Sequence, residues 1–469
     1  MTAGGRGPFR VAVIGSGPAG FYVAEHLLSR EGFDVTVDMF ERLPTPFGLV
    51  RFGVAPDHEK IKNVTRTFEK KTASNPGYRF FGNVDVGIDV TLDDLRRHYH
   101  AVCFASGAQT DRQMGIPGED LARSHPATEF VAWYNGHPDF RDCQFDLSVE
   151  RVAVVGVGNV AVDVARILCR TPEELASTDI ADYALEALTR SNVKEVHMLG
   201  RRGPAQAAFT NPEVRELGQM PGANVTVLPA EAQLDPLSRE AVETADDRSL
   251  RKKLEIIESF TTGTLDPSKP RNLTIRFLVS PTELIGDTTG GVCGMTLVKN
   301  ELYQTGNGSL RPRATERTEQ LPVDLVFRSV GYHGLPISGL PFDERSGVVP
   351  NDHGRVMDGD THLTGLYVSG WIKRGPTGVI GTNKPDALET VECIVADAET
   401  GVMLQPESPD RDAVTRMLAE KEHSFVSYED WKLLDKLECD RGAGQNRPRV
   451  KFTTVAEALE ALKAAAGPS

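Results

Sequence analysis

The sequence predicts an α/β protein of two similar domains, the second inserted into the first. Three observations predict it: a glycine-rich strand–turn–helix pattern from Val11, its repeat 141 residues later, and two apolar strands ending in glycine that bracket the repeat. The length of 469 residues exceeds one ordinary domain, on a prior of about 150 residues each. With 40% apolar and 25% charged residues, the chain has the balance of a soluble globular protein able to bury a large core.

The first pattern runs Val11-Ala12-Val13-Ile14, then Gly15-Ser16-Gly17-Pro18-Ala19-Gly20, then a helical repeat through Phe21, Ala24, Leu27 and Leu28. Gly15 permits the turn, Gly17 lets backbone N–H groups approach a pyrophosphate, and Gly20 allows close helix–strand contact. The pyrophosphate would sit on the positive end of the helix. A second strand, Asp34 to Phe40, ends at Glu41, an acid placed to accept from ribose hydroxyls. A bare GxGxxG is a weak signal, whereas strand, helix and acid together specify a dinucleotide-binding, Rossmann-like domain.

The repeat, Val152 to Val155, Gly156-Val157-Gly158-Asn159-Val160-Ala161 and Val162 to Leu168, shares eight of 18 aligned residues with the first pattern. Its next strand, Val196 to Leu199, ends differently, in Gly200-Arg201-Arg202-Gly203. Two guanidinium forks where an NAD site carries an acid favour a 2′-phosphate, hence NADP. The spacing from Gly156 to Gly200 exceeds the usual one, which predicts a helical insertion between Arg170 and Ser191 capped at Thr171-Pro172-Glu173-Glu174. One turn ending in Glu and one in Arg-Arg imply FAD and NADP(H) in one chain, with hydride passing between them.

The bracketing strands are Ala101 to Ala108 and Asp324 to Gly331. They place an NADP-binding domain at 109–331 inside an FAD-binding domain made of 1–108 and 332–469. A late strand, Leu366 to Gly370, returns to the flavin. The net charge of −14 disfavours nucleic acid and anionic membrane. No apolar run approaches the ~18 residues of a spanning helix. The segment Met1 to Pro8 leaves no room for a signal peptide, so the expected location is cytoplasmic. Six cysteines, never closer than 26 positions, exclude CxxC, zinc-ribbon and iron–sulfur spacings. A flavoenzyme that reduces dithiols through a cysteine pair is therefore disfavoured.

Four blocks carry a family resemblance: Glu41 to His58, Gly158 to Ala161, Gly200 to Pro204, and Gly370-Trp371-Ile372-Lys373-Arg374-Gly375-Pro376-Thr377-Gly378-Val379-Ile380-Gly381. On them the sequence resembles the adrenodoxin-reductase type of NADPH–ferredoxin reductase, bacterial members included, over about residues 9–400. The tail from about Met403 carries no motif. The resemblance implies FAD held by the first glycine turn with Ala19, by Glu41, Leu49 and Val86, and by Trp371, Gly378, Val379 and Ile380. It implies NADP on Val157, Gly158, Asn159, Val160, Arg201, Arg202, Glu213 and Gly378. Thr377 to Ile380 would offer N–H groups at the start of a helix continued by Asp386 to Val395, facing the N1/C2 edge of a reduced flavin.

Such a reaction needs alignment more than acid–base chemistry, and no nucleophile or triad stands out. His58 and Glu216 are the titratable candidates, against structural readings of a lone histidine and a solvated helix position. A ferredoxin is usually acidic, so an acidic reductase needs a local basic docking patch. The densest is Arg248-Ser249-Leu250-Arg251-Lys252-Lys253, diluted by Asp246 and Asp247; Lys373 and Arg374 form a second. Two rival readings stay open: a flavin oxidoreductase or monooxygenase acting on a small acceptor such as a quinone, and a flavin- and NADP-binding redox sensor without turnover. No coiled-coil pattern or exposed apolar stripe argues against a monomer.

Overall fold

Short apolar strands buried on both faces build two sheets, one mostly and one wholly parallel, one in each of two units of the chain. The computed structural model describes residues 8–407 and 410–466. The segment read above as too short for a signal peptide thus lies, except for Pro8, outside the described residues. One unit comprises Met1–Val54, His58–Thr110 and Tyr332–Ser469, the other Ala55–Asp57 and Asp111–Gly331. The sequence gives no sign that the three residues Ala55–Asp57 group with the inserted unit.

In the first unit seven strands run in the order Asn351–Asp352, Arg355–Asp358, Thr361–Val368, Ala101–Phe104, Phe9–Ile14, Val35–Glu41, Tyr78–Gly82. The last five are parallel, and the two at the other edge pair antiparallel. Val11, Val13, Val37, Met39 and Cys103 pack on the side of the helix Pro18–Leu28. Ala12, Phe40, Val102, Phe104 and Val368 face the opposite core. The tail, unmarked in sequence, adds the helices Ala413–Glu420, Tyr428–Ala443 and Val455–Ala466. Glu438 on the second of these is fully buried and pairs with Arg51 at 2.5 Å, beside the Trp431 ring.

In the second unit six parallel strands run Ser124–Pro126, Leu325–Arg328, Arg151–Val155, Glu195–Leu199, Arg271–Arg276, Ala223–Val227. Val152, Val154, Val196, Met198 and Phe327 pack in the core with the helix Asn159–Cys169. The other face, with Ala153, Val155, Leu199 and Val326, is covered by Val279–Gly286, Val292–Gln304 and Leu310–Leu321. These form an antiparallel three-stranded sheet that no motif in the sequence marks. The long stretch before Ser191 holds the helices Pro172–Ala176 and Asp182–Thr189, the first closed by a capping box between Thr171 and Glu174.

Candidate functional site

At the first turn the backbone itself demands glycine. Gly15 has φ +102°, and a Cβ there would lie 2.6 Å from the Ala105 carbonyl oxygen. A Cβ on Gly20 would lie 2.1 Å from the Gly15 oxygen, whereas Gly17 faces open space. The 11-residue helix Pro18–Leu28 starts at Gly17 with no side-chain cap, so its first N–H groups are free for a pyrophosphate. Glu41 ends the second strand, and its carboxylate accepts from the Ser16 N–H (3.1 Å), the Ser16 hydroxyl (2.6 Å) and the Leu43 N–H (3.2 Å). Ser16 is fully buried and was missed, because the middle residue of G-x-G carries no side-chain requirement. Gly15→Ala is expected to strain the turn by about 1–3 kcal/mol and release flavin during purification. A wild-type ratio of flavin to protein absorbance in that variant would contradict this reading of the turn.

The flavin-side loop folds back on the same turn. Gly370 has φ +79°, and a Cβ there would stand 2.5 Å from the Ala19 Cβ. Asp386, also missed, accepts from the Gly370 N–H at 2.6 Å and the Ser369 hydroxyl at 3.2 Å. The Trp371 indole donates to the Thr377 carbonyl at 3.1 Å and its ring lies 5.1 Å from that of Tyr332. Gly378 has φ +81° over Thr382, whose hydroxyl accepts from the Val379 N–H at 3.0 Å. The expected helix start is corrected here: Ile380–Thr382 is a 3₁₀ turn, and the helix begins at Asn383 and runs to Thr400. Two of the apolar residues assigned to flavin are bare, Leu49 at 37% and Val379 at 56% exposure, and apolar surface of this kind suits a ring system. Val86 bridges to Val90 and packs partly buried against the second face of the sheet.

The second turn repeats the first. Gly156 has φ +141° with its Cβ position 2.2 Å from the Ser329 oxygen, Gly158 faces open space, and the helix Asn159–Cys169 starts without a side-chain cap. Val157 and Asn159 turn out to organise the neighbouring loop: the Val157 carbonyl accepts from the Ala208 and Phe209 N–H groups, and Asn159 Oδ1 from the Thr210 N–H at 2.9 Å. Arg201 is exposed and Arg202 half-buried, and neither forms an ion pair among the described residues. Their backbone is fixed, with the Arg201 carbonyl accepting from Asn300 at 2.8 Å and the Arg202 carbonyl from the Leu278 N–H at 3.1 Å. Burial, then the charges of Arg201 and Arg311, push the Arg202 guanidinium below its ordinary value. Arg311 sits on the unforeseen antiparallel sheet, and no motif marks it. Converging cations without carboxylates make a site for an anion.

Two turns along the helix Asn159–Cys169, Arg166 is fully buried and holds Asp57 through two bonds (2.8 and 3.0 Å), Asp163 at 2.7 Å and Glu213 at 3.3 Å. Burial opposes its charge, but Asp163, Asp57 and Glu213 outweigh that and raise its pKa above the ordinary value. Arg170 adds a bond to Asp57 at 2.9 Å. Glu213, expected at the nucleotide, is thus directed onto Arg166, while Glu216 is 40% exposed and 4.0 Å from it. Asp57 is fixed on the N-terminal side of His58, which is partly exposed.

The docking candidates are largely neutralised. Arg251 pairs with Asp246 at 2.6 Å, Lys252 with Glu255 at 2.8 Å, and Lys253 donates to the Ala207 carbonyl; Arg248 is exposed. Lys373 is corrected: its side chain is 5% exposed and bound to Glu389 and Asp386, so it offers no charge to a partner. Arg374 is bound to Asp386 and Thr377. All six cysteines are free thiols, and burial pushes Cys103 and Cys169 up to about 12. Such thiols are inert at neutral pH.

Residues 9–217 match the family model for pyridine nucleotide-disulphide oxidoreductases. An NADPH-ferredoxin reductase FprA of Mycobacterium tuberculosis is 45% identical over 460 residues, covering 96% of this chain and 98% of that protein. A mitochondrial NADPH:adrenodoxin oxidoreductase of Arabidopsis thaliana is 40% identical over 97% of this chain and 95% of its own length. The solved structure of Mycobacterium tuberculosis FprA in complex with NADPH superimposes with a TM-score of 0.91 at 45% identity, over 97% of this chain and all of that one.

Proposed function

The chain belongs to the NADPH–ferredoxin reductases of the pyridine nucleotide-disulphide oxidoreductase family, and from that premise we propose that it takes hydride from NADPH and hands single electrons to a ferredoxin. One observation carries the reading: two uncapped nucleotide turns in one chain, one ending in Glu41 and the other in two guanidinium groups free of carboxylates. FAD, when bound, accepts a hydride and releases its two electrons one at a time.

The first turn, with Gly15, Gly17, Ala19, Gly20 and Glu41, binds the FAD pyrophosphate and ribose. Leu49, Val86, Trp371, Gly378, Val379 and Ile380 enclose the rest of it. Val157, Gly158, Asn159 and Val160 bind the NADP pyrophosphate, and Arg201 and Arg202 its 2′-phosphate. Glu213 lines that site through Arg166. His58 and Glu216 are the residues we assign to holding protons. With no neighbouring thiols, the electrons leave to an outside carrier.

No helix among the described residues is long and apolar enough to cross a membrane. We read the protein as a cytoplasmic monomer, expected to sediment as one species at all concentrations. The test of function is NADPH-driven turnover with a ferredoxin and, separately, with a quinone. Ferredoxin reduction with high kcat/KM is expected. Turnover with the quinone and none with any ferredoxin would overturn the reading.

A further inference from the structure

The helix Tyr428–Ala443, in the tail where the sequence shows no motif, carries one residue against its own pattern. Its buried stripe runs Tyr428, Trp431, Leu434, Glu438 and Gly442, so a carboxylate stands where helical spacing calls for an apolar side chain. That carboxylate accepts from the Arg51 guanidinium at 2.5 Å, the Phe452 N–H at 2.9 Å and Arg449 at 3.4 Å. The Arg51 guanidinium also lies 5.1 Å from the centre of the Trp431 ring and 5.1 Å from that of Phe52.

Arg51 belongs to the short helix Leu49–Phe52, which continues a strained turn. Phe47 has φ +85°, a region that a bulky side chain keeps only where its surroundings hold it, and Gly48 follows at φ +48°. The turn is held from two sides. On one, the Phe47 N–H donates to the Ser16 carbonyl at 3.0 Å, and a Cβ on Gly48 would lie 3.1 Å from the Gly17 Cα. The turn thus rests directly on the first glycine turn. On the other, the Trp431 ring meets Phe47 edge-on at 5.9 Å, and Glu438 ties down Arg51. All of these residues belong to the first unit.

The cluster is ill suited to stabilising the fold as such. An ion pair taken out of water adds little to stability. The Trp431 indole N–H and the Arg51 Nε are buried and have no acceptor among the described residues, which costs stability further. What such directional contacts do well is fix a position. The position they fix is that of residues 47–52, whose Leu49 is bare at the flavin side of the turn.

We propose that Glu438 and Trp431 are positioning residues for FAD, which act through Arg51 and Phe47 to hold residues 47–52 against the pyrophosphate turn. The inference rests on the assignment of that turn to FAD, and it extends the flavin site into the tail.

The test reads release of FAD from the holoprotein by the fluorescence of free flavin. Arg51→Met with Glu438→Gln removes the ion pair and leaves an acceptor for the Phe452 N–H. The double variant is expected to melt close to wild type, since a buried ion pair is replaced as a whole. It is nevertheless expected to release FAD about tenfold faster, because the segment is no longer held in place. Leu188→Ala, a cavity in the core of the second unit, is expected to do the reverse: a lower melting temperature with wild-type release. Hydrogen exchange on the unaltered holoprotein needs no variant to fold. The amides of Val50 to Gly53, bonded to carbonyls of residues 47–49, are expected to exchange as slowly as those of the helix Tyr428–Ala443. Wild-type release in the double variant, equal acceleration by Leu188→Ala, or far faster exchange in residues 50–53 than in that helix would overturn the proposal. Failure of the unaltered holoprotein to reduce any ferredoxin would instead overturn the proposed function, so the two failures are distinguishable.

Discussion

Replacing Arg201 and Arg202 together by alanine is expected to lower kcat/KM for NADPH on the order of 100-fold while changing that for NADH little. Each charge-assisted bond to a phosphate contributes about 1.5–3 kcal/mol, and about 1.4 kcal/mol is a factor of ten. Neither guanidinium is engaged with a carboxylate among the described residues, so nothing else is lost with them. Stability without nucleotide is expected to hold or rise slightly, since burial and the charges of Arg201 and Arg311 already disfavour the charge on Arg202. A purely structural role for the pair predicts the reverse: a drop in melting temperature and equal losses with both coenzymes. Steady-state kinetics with NADPH and NADH, beside a melting curve, decide between them. A surviving preference for NADPH would remove the basis of the assignment.

Replacing Arg166 by methionine is expected to be the most damaging single change. The variant leaves Asp57, Asp163 and Glu213 beside one another with their shared cation gone, and all three side chains are at most 12% exposed. Breaking a buried ion pair from one side costs about 3–5 kcal/mol, which for a domain of this size lowers Tm by roughly 10 °C. Asp57→Asn in the same background is expected to recover part of that loss, because it lessens the repulsion among the carboxylates that shared Arg166. Thermal melts of the four proteins of this double-mutant cycle check the point. A melting temperature within a degree of wild type in Arg166→Met would refute the network.

Much of the site is legible in sequence because backbone geometry dictates it. Gly15, Gly20 and Gly156 are required by carbonyl oxygens that a side chain would strike, and a requirement of this kind leaves a motif. Arg201 and Arg202 are legible because the end of the second strand is a fixed place in the fold. The parallel sheets follow from runs such as Val152 to Val155, buried on both faces.

What sequence misses is held by contacts distant along the chain. Ser16 and Asp386 act through hydrogen bonds whose partners lie 25 and 16 residues away. Arg311 arrives on an antiparallel sheet whose strands carry no nucleotide signature. The tail after Met403 shows no motif, yet Glu438 is fully buried against Arg51 across 387 residues. Lys373 illustrates the opposite error: read as a charge near the flavin, it is buried on Asp386 and Glu389, acids one helical turn apart on the following helix. Charge runs in sequence count ions and say nothing of their partners.

The central claim is that two nucleotide sites in one chain pass electrons from NADPH to an external one-electron carrier without a thiol relay. Anaerobic rapid mixing of the holoprotein with limiting NADPH, followed by oxidised ferredoxin, tests it most directly. The account predicts fast bleaching of the flavin absorbance by NADPH and far slower bleaching by NADH, then recovery of that absorbance with two ferredoxins reduced per NADPH. Slow or absent bleaching by NADPH, or a bleached flavin that ferredoxin fails to reoxidise, would contradict it.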